Sequence, residues 1–212
     1  MSRRGGRSLS FGRKELLDLA IAWLALGVAF AIFLNPSIVQ RVIRSGGVTV
    51  GEVLRAFALA MLTVGVGFLL HELGHKVVAV YYDQVAEFRA DYGMLALAIL
   101  AAMAGFLFAA PGAVHHRGRI TPRQNGLISL AGPAVNVGLA VLFLGLAIVG
   151  SGFLAEVGSL GMIVNVFLAG FNMIPFGPLD GRKVLAWNPL VFGVAFLVTV
   201  GPGLALLLGL FP

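Results

Sequence analysis

The 212-residue chain contains no cysteine. That absence excludes a disulfide framework and every thiolate-based site, whether catalytic or metal-binding. Charge is scarce too: 11% of residues are Asp, Glu, Lys or Arg, against 59% hydrophobic. With a mean hydropathy of +0.98, the chain has too little polar surface to coat a soluble domain of this size, whose exterior is large relative to its core. Only nine acidic residues and four histidines are present, so the candidates for hydrolytic or metal chemistry are few. The net charge of +6 does not point to nucleic acid, because the basic residues gather near the ends of apolar runs, where they set membrane orientation. The partner this composition implies is a lipid bilayer.

Five apolar stretches are long enough to cross a bilayer, which takes about 20 residues: 16–35, 54–80, 125–150, 157–176 and 189–211. A sixth, 93–112, is marginal. The sequence therefore predicts an all-α polytopic membrane protein with about five full transmembrane helices, a re-entrant or interfacial segment at 93–112, and a small β element near 85–120. One domain is expected over 1–212, with an N-terminal anchor and interfacial segment at 1–53, a core at 54–185 and a C-terminal transmembrane helix at 186–212. The stretch from Leu16 to Leu34 is longer than a signal-peptide core and is followed by no small-x-small cleavage pattern, so it is expected to stay as an anchor. In NPSIVQRVIRSGGVTVGE (35–52), Ile38, Val39, Val42 and Ile43 recur at helical spacing among polar residues, as in a helix lying at the interface. VAEFRAD (85–91) alternates in part like a strand, and HHRGRITPRQNG (115–126) reads as a loop or hairpin.

Within the second span, GVGFLLHELGHKVVAVYY (65–82) places His71, Glu72 and His75 in surroundings that penalise them. Ionisable groups at membrane depth cost roughly 2.5 kcal/mol or more each unless they find partners, and so mark function. His71 and His75 are four apart, which stacks them on one helix face about 6 Å apart along the axis. H-E-x-x-H on a helix grips zinc with two imidazoles and uses the glutamate as a general base. Gly74, beside His75, leaves room for another element to approach.

A catalytic zinc takes three protein ligands and keeps a fourth position open. Beyond Asp91 the remaining acidic residues are Glu156 and Asp180, and the remaining histidines are His115 and His116. Nothing around Glu156 suggests a site, and the adjacent histidines sit in a basic loop. Asp180 ends the run FNMIPFGPLD, where Pro175, Gly177 and Pro178 break a helix that has just crossed. Irregular backbone at membrane depth is tolerated where it is buried in protein or lines a polar cavity. Asn165 and Asn172, seven apart, share the face of that helix directed at the break. Asp180 is the expected third ligand.

HELGH (71–75) together with NMIPFGPLDG (172–181) resembles the site-two protease family of intramembrane zinc metalloproteases. The family motif N-x-x-P-x-x-P-L-D-G is matched by Asn172, Pro175, Pro178, Leu179, Asp180 and Gly181, and AGPAVN (131–136) is similar to a family segment on the intervening span. The resemblance covers about residues 54–185. It implies that His71, His75 and Asp180 bind one Zn2+ per chain, that Glu72 is the base and that Asn172 holds the substrate backbone. Asn136 has two readings, a substrate contact or an interhelical hydrogen bond. The implied reaction is peptide-bond hydrolysis within the transmembrane segment of a single-span membrane protein, as in regulated intramembrane proteolysis. Where relatives usually carry a shorter sheet-like segment, this chain carries the longer apolar stretch 93–112.

One metal cannot be held from opposite sides of a bilayer, so an even number of crossings must separate the two motifs. The spans 125–150 and 157–176 supply two, which requires 93–112 not to cross. Charge agrees: with 93–112 not crossing, twelve Lys and Arg fall on one side and only Arg41, Arg44 and Arg55 on the other. This places the N-terminus and the catalytic end in the cytoplasm and the C-terminus outside, in the cell membrane of a prokaryote. Two other functions fit a zinc-binding membrane protein. An inactive scaffold would not need Glu72, and a metal transporter would be expected to show repeated halves, which the sequence lacks.

Overall fold

A computed structural model describes residues 9–44, 46–106 and 111–208. Helix α1 (Arg13–Leu34) is followed by the short α2 (Pro36–Arg44), then by α3 (Val50–Ala60), which runs through a π turn (Met61–Gly65) into α4 (Val66–Tyr81). Strand β1 (Val85–Ala90), helix α5 (Tyr92–Met103) and strand β2 (Gly112–Arg117) come next. The chain closes with α6 (Pro122–Val149), α7 (Phe153–Asn172), α8 (Asp180–Trp187) and α9 (Pro189–Leu207). Four helical stretches, Arg13–Leu34, Val50–Tyr81, Pro122–Val149 and Phe153–Asn172, are long and apolar enough to cross a membrane. The fifth expected span is helical over Pro189–Leu207, and its last residues lie outside those described. Large apolar side chains such as Leu142, Ile148, Val149 and Leu197 face outward from α6 and α9, as lipid-facing residues do. The protein is an all-α polytopic membrane protein with one small sheet.

Local sequence sets the helix ends. Thr49 and Thr121 each accept a hydrogen bond from the backbone N–H three residues on, and Glu52 and Gln124 complete the reciprocal boxes. Pro122 opens α6 at the first helical position, where its missing N–H costs nothing. The expected interfacial segment forms α2, separate from the spans on either side. In the π turn, Thr63 donates its hydroxyl to the Leu59 carbonyl. A π turn adds one residue to a helical turn, which rotates everything beyond it about the axis. It therefore decides which way the histidine face of α4 looks.

Strands β1 and β2 pair antiparallel, with Val85 opposite Arg117 and Ala90 opposite Gly112. The Asp91 N–H donates to the Pro111 carbonyl, 3.1 Å away, so the chain leaves the sheet and returns to it at one point. The chain therefore departs at Asp91 and is back beside it at Pro111. Helix α5, 12 residues and so about 18 Å long, could not span a hydrocarbon core of about 30 Å in any case. It packs on α1 through Ala29, Ala98 and Ala102. The "loop or hairpin" expected from 115 thus begins as the second half of strand β2, which carries both His115 and His116. The main core gathers Leu26 and Phe30 of α1, Val64 of the π turn, Phe68 of α4, Phe88 of β1, Leu95 of α5 and Val164 of α7. The hairpin is thereby held against α4, with Phe68 and Phe88 packed edge to face.

Candidate metal centre

His71 and His75 project from the buried face of α4, together with Glu72. Asp180 opens α8, after the turn 173–179 has folded the chain back from α7. Gly177 takes a left-handed φ of 59° in that turn, a conformation glycine adopts freely. Gly181 follows Asp180 directly, and a Cβ there would lie 2.1 Å from the Met173 carbonyl oxygen, so only glycine lets the two ends of the turn approach this closely.

The convergence that the parity argument requires is present. His71 Nε2 and His75 Nε2 are 3.0 Å apart. Asp180 Oδ2 lies 3.5 Å from the first and 3.1 Å from the second. All three residues are buried. Tetrahedral zinc with bonds of about 2.0–2.2 Å separates its ligand atoms by roughly 3.3–3.6 Å, close to these spacings. Among the described residues this is the one group of His and acidic side chains arranged to hold a metal.

The outer partners fix how the imidazoles face the centre. His71 Nδ1 is 2.6 Å from Asn136 Oδ1, while Asn136 Nδ2 donates to the Gly67 carbonyl and to Asn165 Oδ1. With the amide so oriented, Oδ1 accepts and His71 Nδ1 carries the proton. His75 Nδ1 lies 2.7 Å from the Ile128 carbonyl, which can only accept. Both Nε2 atoms therefore turn lone pairs toward a carboxylate, an arrangement that repels itself unless a cation lies between. The site is thus furnished with two imidazole nitrogens and a carboxylate oxygen facing one point. Lys183 Nζ stands 3.7 Å from the other carboxylate oxygen. These donors fit zinc.

Helix α6 comes close enough to supply those partners because residue 132 has no side chain. A Cβ on Gly132 would lie 2.5 Å from His71 Nε2 and 2.6 Å from His75 Cε1. Gly74 meets the same helix at Ala131 and Val135. The AGPAVN segment is therefore a packing surface for the two imidazoles, with Asn136 at its end.

Glu72 is buried beside the cluster and accepts a hydrogen bond of 3.0 Å from the Val114 N–H of β2. Asn172 is half-buried at the end of α7, and its Nδ2 donates to the Leu168 carbonyl of its own helix. It makes no hydrogen bond to His71, His75 or Asp180. Asn136, fully buried, is committed to His71, Gly67 and Asn165. His116 is half-buried on β2; burial and the charge of Lys183 hold it below its ordinary value. Sequence reasoning did not single out Lys76, Glu15 or Asp18, although each is an ionisable residue within or at the edge of an apolar span. That was the available signal. All three are buried in the structure.

Fold and site together define a class: a polytopic helical membrane protein with a buried group of two histidines and one carboxylate that could hold a metal ion, and a glutamate alongside. Comparison with known proteins gives the family. The chain is 40% identical over 196 residues, 90% of its length and 93% of the relative's, to a Methanocaldococcus jannaschii protein bearing the name "Putative zinc metalloprotease". A Synechocystis protein bearing the same description is 40% identical over 121 residues, 54% of this chain and 27% of that one. A third so described, from Bacillus subtilis, is 31% identical over 148 residues, 59% of this chain and 66% of the relative. No protein-family model and no solved structure matches the chain. The chain belongs to the site-two protease family of zinc metalloproteases.

Proposed function

We propose that the protein is an intramembrane zinc endopeptidase that hydrolyses peptide bonds within the transmembrane segment of single-span membrane proteins. The observation that carries this reading is the convergence of the H-E-x-x-H face and Asp180 within a bundle of apolar helices, beside a hairpin whose outer strand β2 meets Glu72 through the Val114 N–H. When bound, zinc supplies Lewis acidity, which polarises a carbonyl and makes water nucleophilic near neutral pH. His71, His75 and Asp180 would hold it. Glu72 takes a proton from the attacking water as the new C–O bond forms. It returns that proton to the departing amine as the C–N bond breaks.

A substrate helix shields its own peptide bonds by hydrogen bonding, so it must unwind before water can reach one. Strand addition to β2 offers replacement partners. The Val114 N–H points away from β1 toward Glu72, so the outward edge of β2 lies beside the base. Asn172, the last residue of α7 before the turn that leads to Asp180, would hold unwound substrate backbone. The charge distribution supports a cytoplasmic N-terminus and a catalytic end on the same side. Purified protein in vesicles with a single-span substrate tests the proposal. Wild type should cleave and lose activity to a zinc chelator, and Glu72→Gln should retain its zinc and cleave nothing. Full activity in Glu72→Gln would refute the assigned base.

A further inference from the structure

Side-chain carboxylates meet both outer edges of the hairpin, at one N–H on β2 and at two on β1. On β2 the acceptor is Glu72. On β1, Phe88 and Ala90 turn their N–H groups away from β2, and both meet α1: Phe88 N–H donates to Glu15 Oε1 at 3.0 Å and Ala90 N–H to Asp18 Oδ2 at 3.4 Å. Glu15 and Asp18 are three apart on α1, hence on one face and about 4.5 Å apart along its axis. Alternate N–H groups of a strand are about 6.7 Å apart, so a helix running beside the strand can serve both from successive turns. Tyr92 adds a hydroxyl donor to Asp18 Oδ1 at 2.6 Å.

The same Glu15 oxygen accepts from Lys76 Nζ at 2.5 Å. Lys76 is the residue after His75 and is almost wholly buried; its ammonium also donates to the Ser10 carbonyl at 2.6 Å and lies 3.9 Å above the Phe11 ring. One carboxylate oxygen thus joins α1, the outer edge of β1 and the helix that carries two metal ligands. A buried carboxylate needs a counter-charge, and a buried ammonium needs acceptors. Each is supplied by the other.

We propose that Glu15, Asp18 and Lys76 form a clamp that holds β1 by its outer edge and so positions the β2 edge against Glu72. They are positioning residues, and the clamp closes β1 to strand addition, leaving β2 as the edge a substrate can use. The inference rests on the reading of β2 as the substrate-docking edge.

Two charge-balanced double variants test it. Glu15→Gln with Lys76→Met removes both charges but leaves an amide oxygen for the Phe88 N–H. Glu15→Leu with Lys76→Met removes both charges and the acceptor. Replacing a buried ion pair with packed apolar groups is often tolerated, so both should fold. Each is loaded with zinc in vesicles and compared on a single-span protein that the wild type cleaves. The glutamine variant should keep a KM within about threefold of wild type. The leucine variant should show KM raised at least tenfold, with kcat changed less than threefold and one zinc per chain. Amide exchange at Phe88 and Val114 should be at least tenfold faster in the leucine variant alone. A leucine variant with wild-type KM and exchange overturns the proposal, and so do two variants that lose zinc or activity alike, since that marks a purely structural pair. If the wild type cleaves nothing, the protease reading falls, and the exchange measurement still decides whether the clamp positions the hairpin.

Discussion

Replacing Asn136 with leucine separates its two sequence-level readings. Leucine preserves volume in a site that is fully buried, but it removes the oxygen that accepts from His71 Nδ1 and the amide that donates to Asn165 Oδ1. Loss of an outer hydrogen bond to a metal-bound histidine weakens metal affinity about 10- to 100-fold. At roughly 1.4 kcal/mol per decade, that is about 1.4–2.8 kcal/mol. The stranded Asn165 oxygen adds about 1–3 kcal/mol of lost fold stability. Competition against a chromophoric chelator in detergent measures the first effect, and thermal unfolding of the metal-free protein the second. If Asn136 contacted substrate instead, leucine would raise KM and leave zinc affinity untouched. Wild-type zinc affinity in Asn136→Leu would therefore refute the assignment of this residue to His71.

Other outcomes follow from single contacts. Gly132→Ala drives a methyl group into both imidazoles and should yield protein with well under one zinc per chain by mass spectrometry. Gly138→Ala, on the same helix with nothing near its Cβ, should load normally. Val114→Pro removes the N–H that faces Glu72 without breaking a β1–β2 hydrogen bond, so it should raise KM for a membrane-embedded substrate while hairpin exchange protection persists. Unchanged KM would remove β2 from substrate docking. Stripping the metal should lower the melting temperature by about 5–10 °C, because a ligand at 100 times its Kd adds about 2.7 kcal/mol to the folded state and each kcal/mol moves Tm about 2–4 °C. An unchanged midpoint would mean that the fold does not depend on metal.

Much of the site was legible in the sequence because local rules govern it. Helical spacing pairs His71 with His75, and a helix broken by Pro175, Gly177 and Pro178 before an acid singles out Asp180. The need for both to meet one ion called for 93–112 to turn back, and Asp91 and Pro111, at the two ends of that stretch, are in contact. What stayed hidden depends on contacts far apart along the chain. Lys76 reads as one of the basic residues flanking a span and was counted in the charge asymmetry; in the fold it pairs with Glu15, 61 positions away, and is almost completely buried. Setting it aside leaves eleven basic residues against three, so the orientation argument keeps its sign. His115 and His116 read as a basic loop because their alternation is too short to separate strand from turn. Pairing with β1 is what makes them strand. The π turn at Met61–Gly65 left no periodicity to read, since every residue near it is apolar or small.

The most direct test of the central claim is zinc K-edge X-ray absorption on the wild type and on Asp180→Ala. The account predicts a wild-type spectrum with two imidazoles and oxygen ligands at about 2.0–2.2 Å. It also predicts that Asp180→Ala will be isolated with its zinc largely lost. Stoichiometric zinc and an unchanged spectrum in Asp180→Ala would contradict it, because the metal would then be held without the carboxylate on which the convergence of the two motifs depends.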